Sequence, residues 1–465
     1  MKHLSLKTLI EKLGGTYQGP EIPLPPISID TRTLQKGDLY VAIQGQHFNG
    51  HQFVREALQK GACGVMIDHP MGTMSGISAP RTVEIIVKDT TQALGELAKL
   101  WRQQFQIPFI GLTGSCGKTG TKEMAAAILS QVGPTLATKG NLNNHLGLPL
   151  MLLGLREFHR FAVLEMGANH PGEIRYLMSL AEPTVALITN IQASHLEGFG
   201  SLAGISKEKS EIYRGLPANG LAIVNLDEAF SKDWDAAIGA RSRLTFSVNP
   251  ESKADVSARH VAYTAEGVRF ELVTPLGSQD MFIPLLGDHV IPNALAAIAA
   301  AMSVGADLSA VAKGLASVKT VKGRMVPYEA EHGIQLIDDT YNASAASVEN
   351  ALKYLSKVPG KKIFVMSHMA EMGPDSDEYH GKMGQWILKY GIDQCFFTGN
   401  QQSLKPTLEK VGEKGSFFES QADLIAALRS VLKKQANEGT VVLVKGCRSA
   451  KMEGVVEALM RGNRV

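Results

Sequence analysis

The sequence predicts an α/β protein of three domains. These are a small α/β N-terminal unit, a central phosphate-loop type of mostly parallel sheet with helices on both faces, and a C-terminal Rossmann-like doubly wound sheet. Three observations carry this. The stretch Gly111-Leu112-Thr113-Gly114-Ser115-Cys116-Gly117-Lys118-Thr119 lies between the apolar run Ile107 to Leu112 and the helical pattern Lys122 to Leu129. Short apolar strands alternate with helical stretches in two separate blocks. The length, 465 residues, exceeds what one core sustains, since single cores stop growing near roughly 250–300 residues.

The first segment, residues 1–84, opens with a predicted strand over Ile27 to Arg32, where polar and apolar residues alternate, and a second over Asp38 to Ile43. A helix is expected from His51 to Lys60 and a strand from Gly64 to Ile67. His69 to Pro80, rich in Gly, Pro, Ser and Met, reads as a boundary loop.

The central segment, 85–317, carries the glycine-rich turn. A strand, such a turn and a helix in that order make an anion cradle: glycines let backbone N–H groups converge, and the helix N-terminus adds partial positive charge. Lys118 would reach the outer phosphates of a nucleotide, and the Thr119 hydroxyl would ligate Mg²⁺. The spacing is a variant one, G-x-x-G-x-x-G-K-T, with Leu at 112 where the common pattern has Gly. Further strands are expected at Phe161–Glu165, Val185–Asn190 and Leu221–Asn225. Glu165 and Asn190 end successive strands, with His195 close behind, and open α/β sheets bind ligands at such ends. Taken singly, Glu165 reads as an N-cap or surface carboxylate and His195 as a loop histidine. Beside a phosphate loop they suit a hard cation. Asn141, Asn143 and Asn144 crowd amides into one turn, which serves either its own backbone or a polar substrate. Residues 255–285 alternate around Gly267 and Gly277, predicting antiparallel hairpins, and Pro292 to Val304 is an alanine-rich helix.

The last segment, 318–465, is read as strands Leu336–Asp338, Ile363–Met366, Gln394–Thr398 and Val441–Val444, alternating with helices Ser347–Leu355, Glu378–Tyr390, Ala422–Lys433 and Lys451–Met460. Its first strand is not followed by G-x-G-x-x-G, so no nicotinamide cofactor is expected. Arg324 could stabilise a transferring phosphate from this second domain. Asp339 could receive a ribose or a lysine, and Lys445-Gly446-Cys447-Arg448 is another strand end suited to an anion. The plain alternatives are a surface ion pair for Arg324 and a solvated turn for the basic stretch.

Composition narrows the function. With 44% hydrophobic residues and a formal net charge of +2, there is no electrostatic case for nucleic acid or a membrane surface. The N-terminal MKHLSLKTLI has too short an apolar stretch for a signal peptide, and no apolar run reaches membrane-spanning length. Cys63, Cys116, Cys395 and Cys447 form no C-x-x-C pair, which fits free thiols in a reducing cytoplasm and argues against structural zinc.

With these residues in view, the chain resembles the Mur ligases, and among them the type that adds D-alanyl-D-alanine to UDP-N-acetylmuramoyl-tripeptide. The resemblance runs in order through Ser28-Ile29-Asp30-Thr31-Arg32, Gly37-Asp38-Leu39 and Phe48-Asn49-Gly50-His51-Gln52-Phe53. It continues with Thr113 to Lys122, Gly140 to Asn144, Leu164-Glu165-Met166-Gly167, Ala193-Ser194-His195-Leu196-Glu197 and His289 to Ala297. It closes with Gly323-Arg324, Asp338 to Asn342, and Lys445-Gly446-Cys447-Arg448 with Met452-Glu453.

The resemblance implies an ATP-dependent, ADP-forming amide ligase of peptidoglycan precursor synthesis, cytoplasmic and monomeric, that works through an acyl phosphate. Gly114, Ser115, Cys116, Gly117, Lys118, Thr119, Gly120, Asn293, Arg324 and Asp339 would contact ATP. Thr119, Glu165, His195 and Lys209, the last as a carbamate, would hold Mg²⁺. Lys118, His195, Lys209 and Arg324 would be catalytic. Ser28, Asp30, Arg32, Asn49, Gly50 and His51 fall where the uridine nucleotide is held; Asn141, Asn143, Asn144 and Asn342 fall near the substrate. Two departures stand out. Ser367-His368 replaces the usual Gly-Asp, and Asn342-Ala343-Ser344-Ala345 replaces Asn-Ala-Asn-Pro, both near the expected place of the incoming dipeptide. Alternatives are a different amine, as in other Mur-type or folylpolyglutamate-type ligases, or a nucleotide-binding scaffold without turnover.

Overall fold

In the computed structural model the chain builds three sheets, and residues 4–45, 48–70, 82–264, 266–330, 333–435 and 439–460 are described. The first sheet has the order Ile27–Ser28, Leu39–Val41, Gly64–Ile67, Val83–Ile86, Thr16–Gln18. Its neighbours run parallel except Thr16–Gln18, which is antiparallel to Val83–Ile86. The strand expected over Ile27 to Arg32 stops at Ser28, because the Asp30 carboxylate accepts the backbone N–H of Arg32 and turns the chain. The helix expected from His51 begins as a 3₁₀ turn, Gly50–Phe53, capped by the Asn49 side chain, and becomes α-helical over Val54–Gln59. Most of the boundary loop, from residue 71 to 80, lies outside the described residues.

The central sheet has nine strands. Thr135–Ala137, Phe161–Glu165, Phe109–Thr113, Val185–Ile188, Leu221–Asn225, Ser242–Ser247 and Val256–Thr264 follow one another in parallel. Gly267–Thr274 and Gly277–Ile283 complete it as the expected antiparallel hairpins. Helices Thr90–Arg102, Gly147–Leu153, Glu173–Ala181 and Leu202–Arg214 cover one face; Lys118–Ser130, Val290–Met302 and Leu308–Ala316 cover the other. Val290–Met302 is buried along nearly its whole surface, as an alanine-rich helix with no polar stripe must be. Asn293 is its one polar exception, and a buried amide of that kind needs partners.

The C-terminal sheet has the order Val326–Glu329, Gln335–Asp339, Val441–Lys445, Lys362–Met366, Gln394–Thr398, Gly415–Phe418, parallel apart from the first strand. Helices Ala345–Lys357, Ser376–Lys389 and Gln401–Val411 pack on one face, Gln421–Lys434 and Glu453–Met460 on the other. This is the doubly wound arrangement expected. Leaving Lys362–Met366 and Val441–Lys445 the chain turns to opposite faces, which opens a crevice at their carboxyl ends. Among the described residues no helix is long and apolar enough to cross a membrane.

Candidate active site between the central and C-terminal domains

The strand Phe109–Thr113 is fully buried, whereas Ser115 to Lys118, just after it, are partly exposed. Gly114 and Gly117 have φ of +148° and +80°. A Cβ on Gly114 would stand 1.8 Å from Thr189 Oγ1, and one on Gly117 2.2 Å from Asn293 Oδ1. Backbone and neighbours approach too closely for any side chain. The loop is held from the next strand end. Asn190 Oδ1 accepts the Cys116 N–H at 2.9 Å; Thr189 Oγ1 and Asn190 Nδ2 donate to the Cys116 carbonyl at 2.6 and 3.1 Å. Ser115 Oγ donates to the Gln192 carbonyl at 2.9 Å. Asn293, on the buried helix, seats its amide against Gly117 and Gly120.

At the start of the following helix, Lys118 folds back and donates from Nζ to the Gly114 and Ser115 carbonyls at 2.6 and 3.2 Å. Removal from water pushes its pKa down, and the negative charge of Glu165 opposes that. Thr119 Oγ1 donates to Glu165 Oε2 at 3.0 Å and accepts from Arg324 Nη2 at 3.0 Å. Glu165, 2% exposed, also accepts from Asn143 Nδ2 at 2.7 Å through its other oxygen. Its backbone N–H donates to Thr138 Oγ1. Arg324 lies over the Tyr341 ring at 4.3 Å, and its buried Nε has no partner among the described residues. An orphaned guanidinium donor beside this glycine-rich loop has the chemistry to accept an anion.

Lys209, on the helix Leu202–Arg214, is 1% exposed. Burial, then repulsion from Lys118, pushes its ammonium down to about 7. His195 adopts a left-handed conformation (φ +52°) and turns Nδ1 to the Glu371 carboxylate of the C-terminal domain. Asp339 receives a lysine: Lys445 Nζ donates to Asp339 Oδ2 at 2.6 Å and to the Asn342 carbonyl at 3.0 Å. The Asn342 side chain is exposed.

Other predicted residues lie elsewhere or are occupied. Asn144 Oδ1 accepts the N–H groups of Leu146 and Gly147 at the start of the helix Gly147–Leu153, and Asn141 is exposed. In the first domain Ser28 Oγ bonds to Asp30 backbone, and Asp30 holds Arg32 through Nε and Nη2. Asn49 Oδ1 accepts the His51 N–H; Gly50 packs against the Ile43 backbone, where a Cβ would come within 2.6 Å of Ile43 O, and its carbonyl accepts Tyr40 OH.

Residue-by-residue reading missed several contacts that close the C-terminal domain on the central one. Ser344 Oγ meets Cys116 Sγ at 3.3 Å, and Lys353 and Lys357 both pair with Asp288. Thr189, Thr138, Tyr341 and Glu371 were also unforeseen. Thr189 and Tyr341 carried a local signal, the first beside Asn190 and the second between Asp339 and Asn342. The departure Ser367-His368 falls in the C-terminal crevice with Cys447. Burial would push that thiol up, but hydrogen bonds from His368, Ser449 and Ser367 bring it down to about 6.

Three family models match the chain: "Mur ligase family, catalytic domain" at residues 26–102, "Mur ligase middle domain" at 112–301, and "Mur ligase, glutamate ligase domain" at 323–448. The chain is 44% identical to the UDP-N-acetylmuramoyl-tripeptide–D-alanyl-D-alanine ligase of Escherichia coli K12, with 99% of each covered. It is 34% identical to the Bacillus subtilis protein of that name over 98% of each. A crystal structure of MurF from Acinetobacter baumannii superposes with a TM-score of 0.90 at 34% identity, covering 99% of both chains. MurF ligase from Thermotoga maritima, in complex with ADP, gives 0.80 at 27% identity, covering 94% of this chain and 97% of that one.

Proposed function

The chain belongs to the Mur ligase family, and from that premise we propose that it joins D-alanyl-D-alanine to the terminal carboxylate of UDP-N-acetylmuramoyl-tripeptide, at the cost of ATP. The observation that carries the reading is the chain of bonds Arg324 to Thr119 to Glu165, which joins two domains at the head of the phosphate loop.

A carboxylate and an amine do not condense in neutral water, because the carboxylate is a poor electrophile with no leaving group. Transfer of the γ-phosphoryl of ATP to the tripeptide carboxylate makes an acyl phosphate. The amine of the dipeptide then attacks the carbonyl carbon and phosphate departs. Lys118 and Arg324 supply positive charge to the transferring group from opposite sides of the crevice, where desolvation strengthens it. Asn293 and the strand-end residues Thr189 and Asn190 hold the loop that receives the phosphates. The donor set at Thr119 and Glu165, hard oxygens 3.0 Å apart, suits magnesium, with His195 and a carbamylated Lys209 as further ligands. The ion would neutralise phosphate charge there. A lysine held near 7 is substantially neutral at physiological pH, as attack on carbon dioxide requires.

In this reading residues 1–84 anchor the uridine nucleotide through Ser28, Asp30, Arg32 and the Asn49-Gly50-His51 turn. Residues 85–317 hold ATP, and 318–465 bring the amine. Asn141, Asn143 and Asn342 face the substrate, while Asn144 fixes the turn by capping the helix Gly147–Leu153, and Asp339 borders the nucleotide site through its pair with Lys445. The protein acts as a monomer in the cytoplasm. The purified protein releases phosphate only with both UDP-tripeptide and D-alanyl-D-alanine present, and Lys118→Ala lowers that rate on the order of 10³-fold with an unchanged circular dichroism spectrum. Equal release with either substrate omitted would overturn the proposal.

A further inference from the structure

The first domain holds a second group of ligand-type side chains, far from the phosphate loop in sequence. His51 lies on the 3₁₀ turn Gly50–Phe53, and Asp68 and His69 directly follow the strand Gly64–Ile67. One ligand atom from each of the three lies within 4.8 Å of the others.

The hydrogen bonds settle which tautomer His51 adopts. The His51 backbone N–H donates to Asn49 Oδ1 at 2.9 Å, so that Asn49 atom is the carbonyl oxygen. The same oxygen faces His51 Nδ1 at 2.9 Å, so Nδ1 carries the proton. In the neutral ring, Nε2 then presents its lone pair. That lone pair accepts the Asp68 N–H at 3.2 Å, a bond that an ion would replace, and Nε2 also faces Asp68 Oδ1 at 3.0 Å. Two electron-rich atoms thus face each other, and the exposed His69 brings Nδ1 to the same Asp68 oxygen.

We propose that His51 Nε2, Asp68 and His69 form a binding site for a divalent transition-metal ion of the zinc type. A proton-bearing Nδ1 fixed by an amide oxygen is the usual support of a metal-binding imidazole. Two imidazoles and a carboxylate are a donor set such ions accept, with a fourth position left for water. Ligand atoms about 2.0–2.1 Å from a tetrahedral ion stand somewhat over 3 Å apart, close to the separation between His51 and Asp68. The His69 ring, 63% exposed and stacked on the His51 ring, would have to rotate away from both His51 and Asp68 to share the ion. His51 is held in place by its burial and by Asn49. The site shares His51 with the turn read above as holding the uridine nucleotide, but it does not depend on that reading.

The test is titration of the metal-free full-length protein with Co²⁺, whose visible absorption reports its ligands, followed by displacement with Zn²⁺. Because Thr119, Glu165 and His195 offer another cation site, E165Q is titrated beside H69A and D68N. The proposal expects a cobalt spectrum with nitrogen ligands that E165Q retains. H69A and D68N should each weaken binding at least about tenfold, on the scale of perturbed metal sites, with metal-free melting temperatures unchanged. Binding that H69A and D68N leave intact, binding that E165Q alone removes, or no binding of either ion would each overturn it.

Discussion

Around the phosphate loop, polar groups find partners far along the chain: Thr119 meets Glu165, 46 residues away, and Arg324, 205 residues away. In the first domain the same kinds of group close on themselves. Asp30 binds Arg32 and Asn49 binds His51, each two residues on. Turn chemistry alone produces the second arrangement. The Arg324 bond exists only when two domains are closed, so its geometry reports their relative placement. A site assembled across domains is suited to bringing two substrates together, and a locally closed turn is suited to a rigid anchor.

The sharpest way to break this contrast is at Arg324. Arg324→Ala should lower kcat by about 10²–10³-fold, the scale for removing one donor to a developing charge, and leave the KM of the UDP substrate nearly unchanged. Arg324→Lys should recover little, since an ammonium offers neither the planar fork nor the stacking on Tyr341. A change confined to KM would show that Arg324 contributes to ground-state binding and nothing more.

A smaller effect is expected at Lys209, whose pKa falls from 10.5 to about 7 through burial first and Lys118 second. Between those values the unfolded chain holds a proton that the folded chain lacks, so stability rises with pH across this window. Below pH 7 both states are protonated and the cost of the buried ammonium is fully present. Lys209→Met should therefore raise the melting temperature at pH 6.5, with the gain fading as pH approaches 10. A pH-independent difference between the two proteins would contradict the burial argument. Carbamylation would replace the ammonium by an anion, so the comparison is made in carbonate-free buffer.

Local features were the ones readable from the sequence. The strands Gly64–Ile67, Phe161–Glu165, Leu221–Asn225 and Gln394–Thr398 were readable to the residue, because apolar runs bounded by turn residues are local signals. The helix Thr90–Arg102 was passed over, although Asp89 caps it. The edge strands Thr135–Ala137 and Gly415–Phe418 were missed because three or four residues carry too little pattern. At the site, the Lys118-Thr119 pair was legible from its motif. Asp339 was read as a ribose or lysine partner, and the lysine is Lys445, from a strand paired in parallel beside it. The pairing of His195 with Glu371 and the clamp of Asp288 on Lys353 and Lys357 had no local mark. Each joins segments whose neighbourhood is created by folding alone.

The smallest effect sharpens the other side of the contrast. Hydrogen bonding to Arg32 holds the Asp30 carboxyl at about 2, below its ordinary 3.8. A carboxyl depressed on folding stabilises the protein above its unfolded pKa, and that contribution disappears as pH falls through the folded value. Arg32 is largely exposed, so solvent screening keeps the contribution of the pair small. Asp30→Asn should therefore cost a small, measurable amount in urea unfolding at pH 6, shrinking between pH 4 and pH 2. If the turn anchors the nucleotide, the same variant should raise the KM of the UDP substrate several-fold and spare kcat, the reverse of Arg324→Ala. A fall in kcat without a change in KM would mean that this turn communicates with the distant phosphate loop, and the separation between a local anchor and a cross-domain reaction site would not hold.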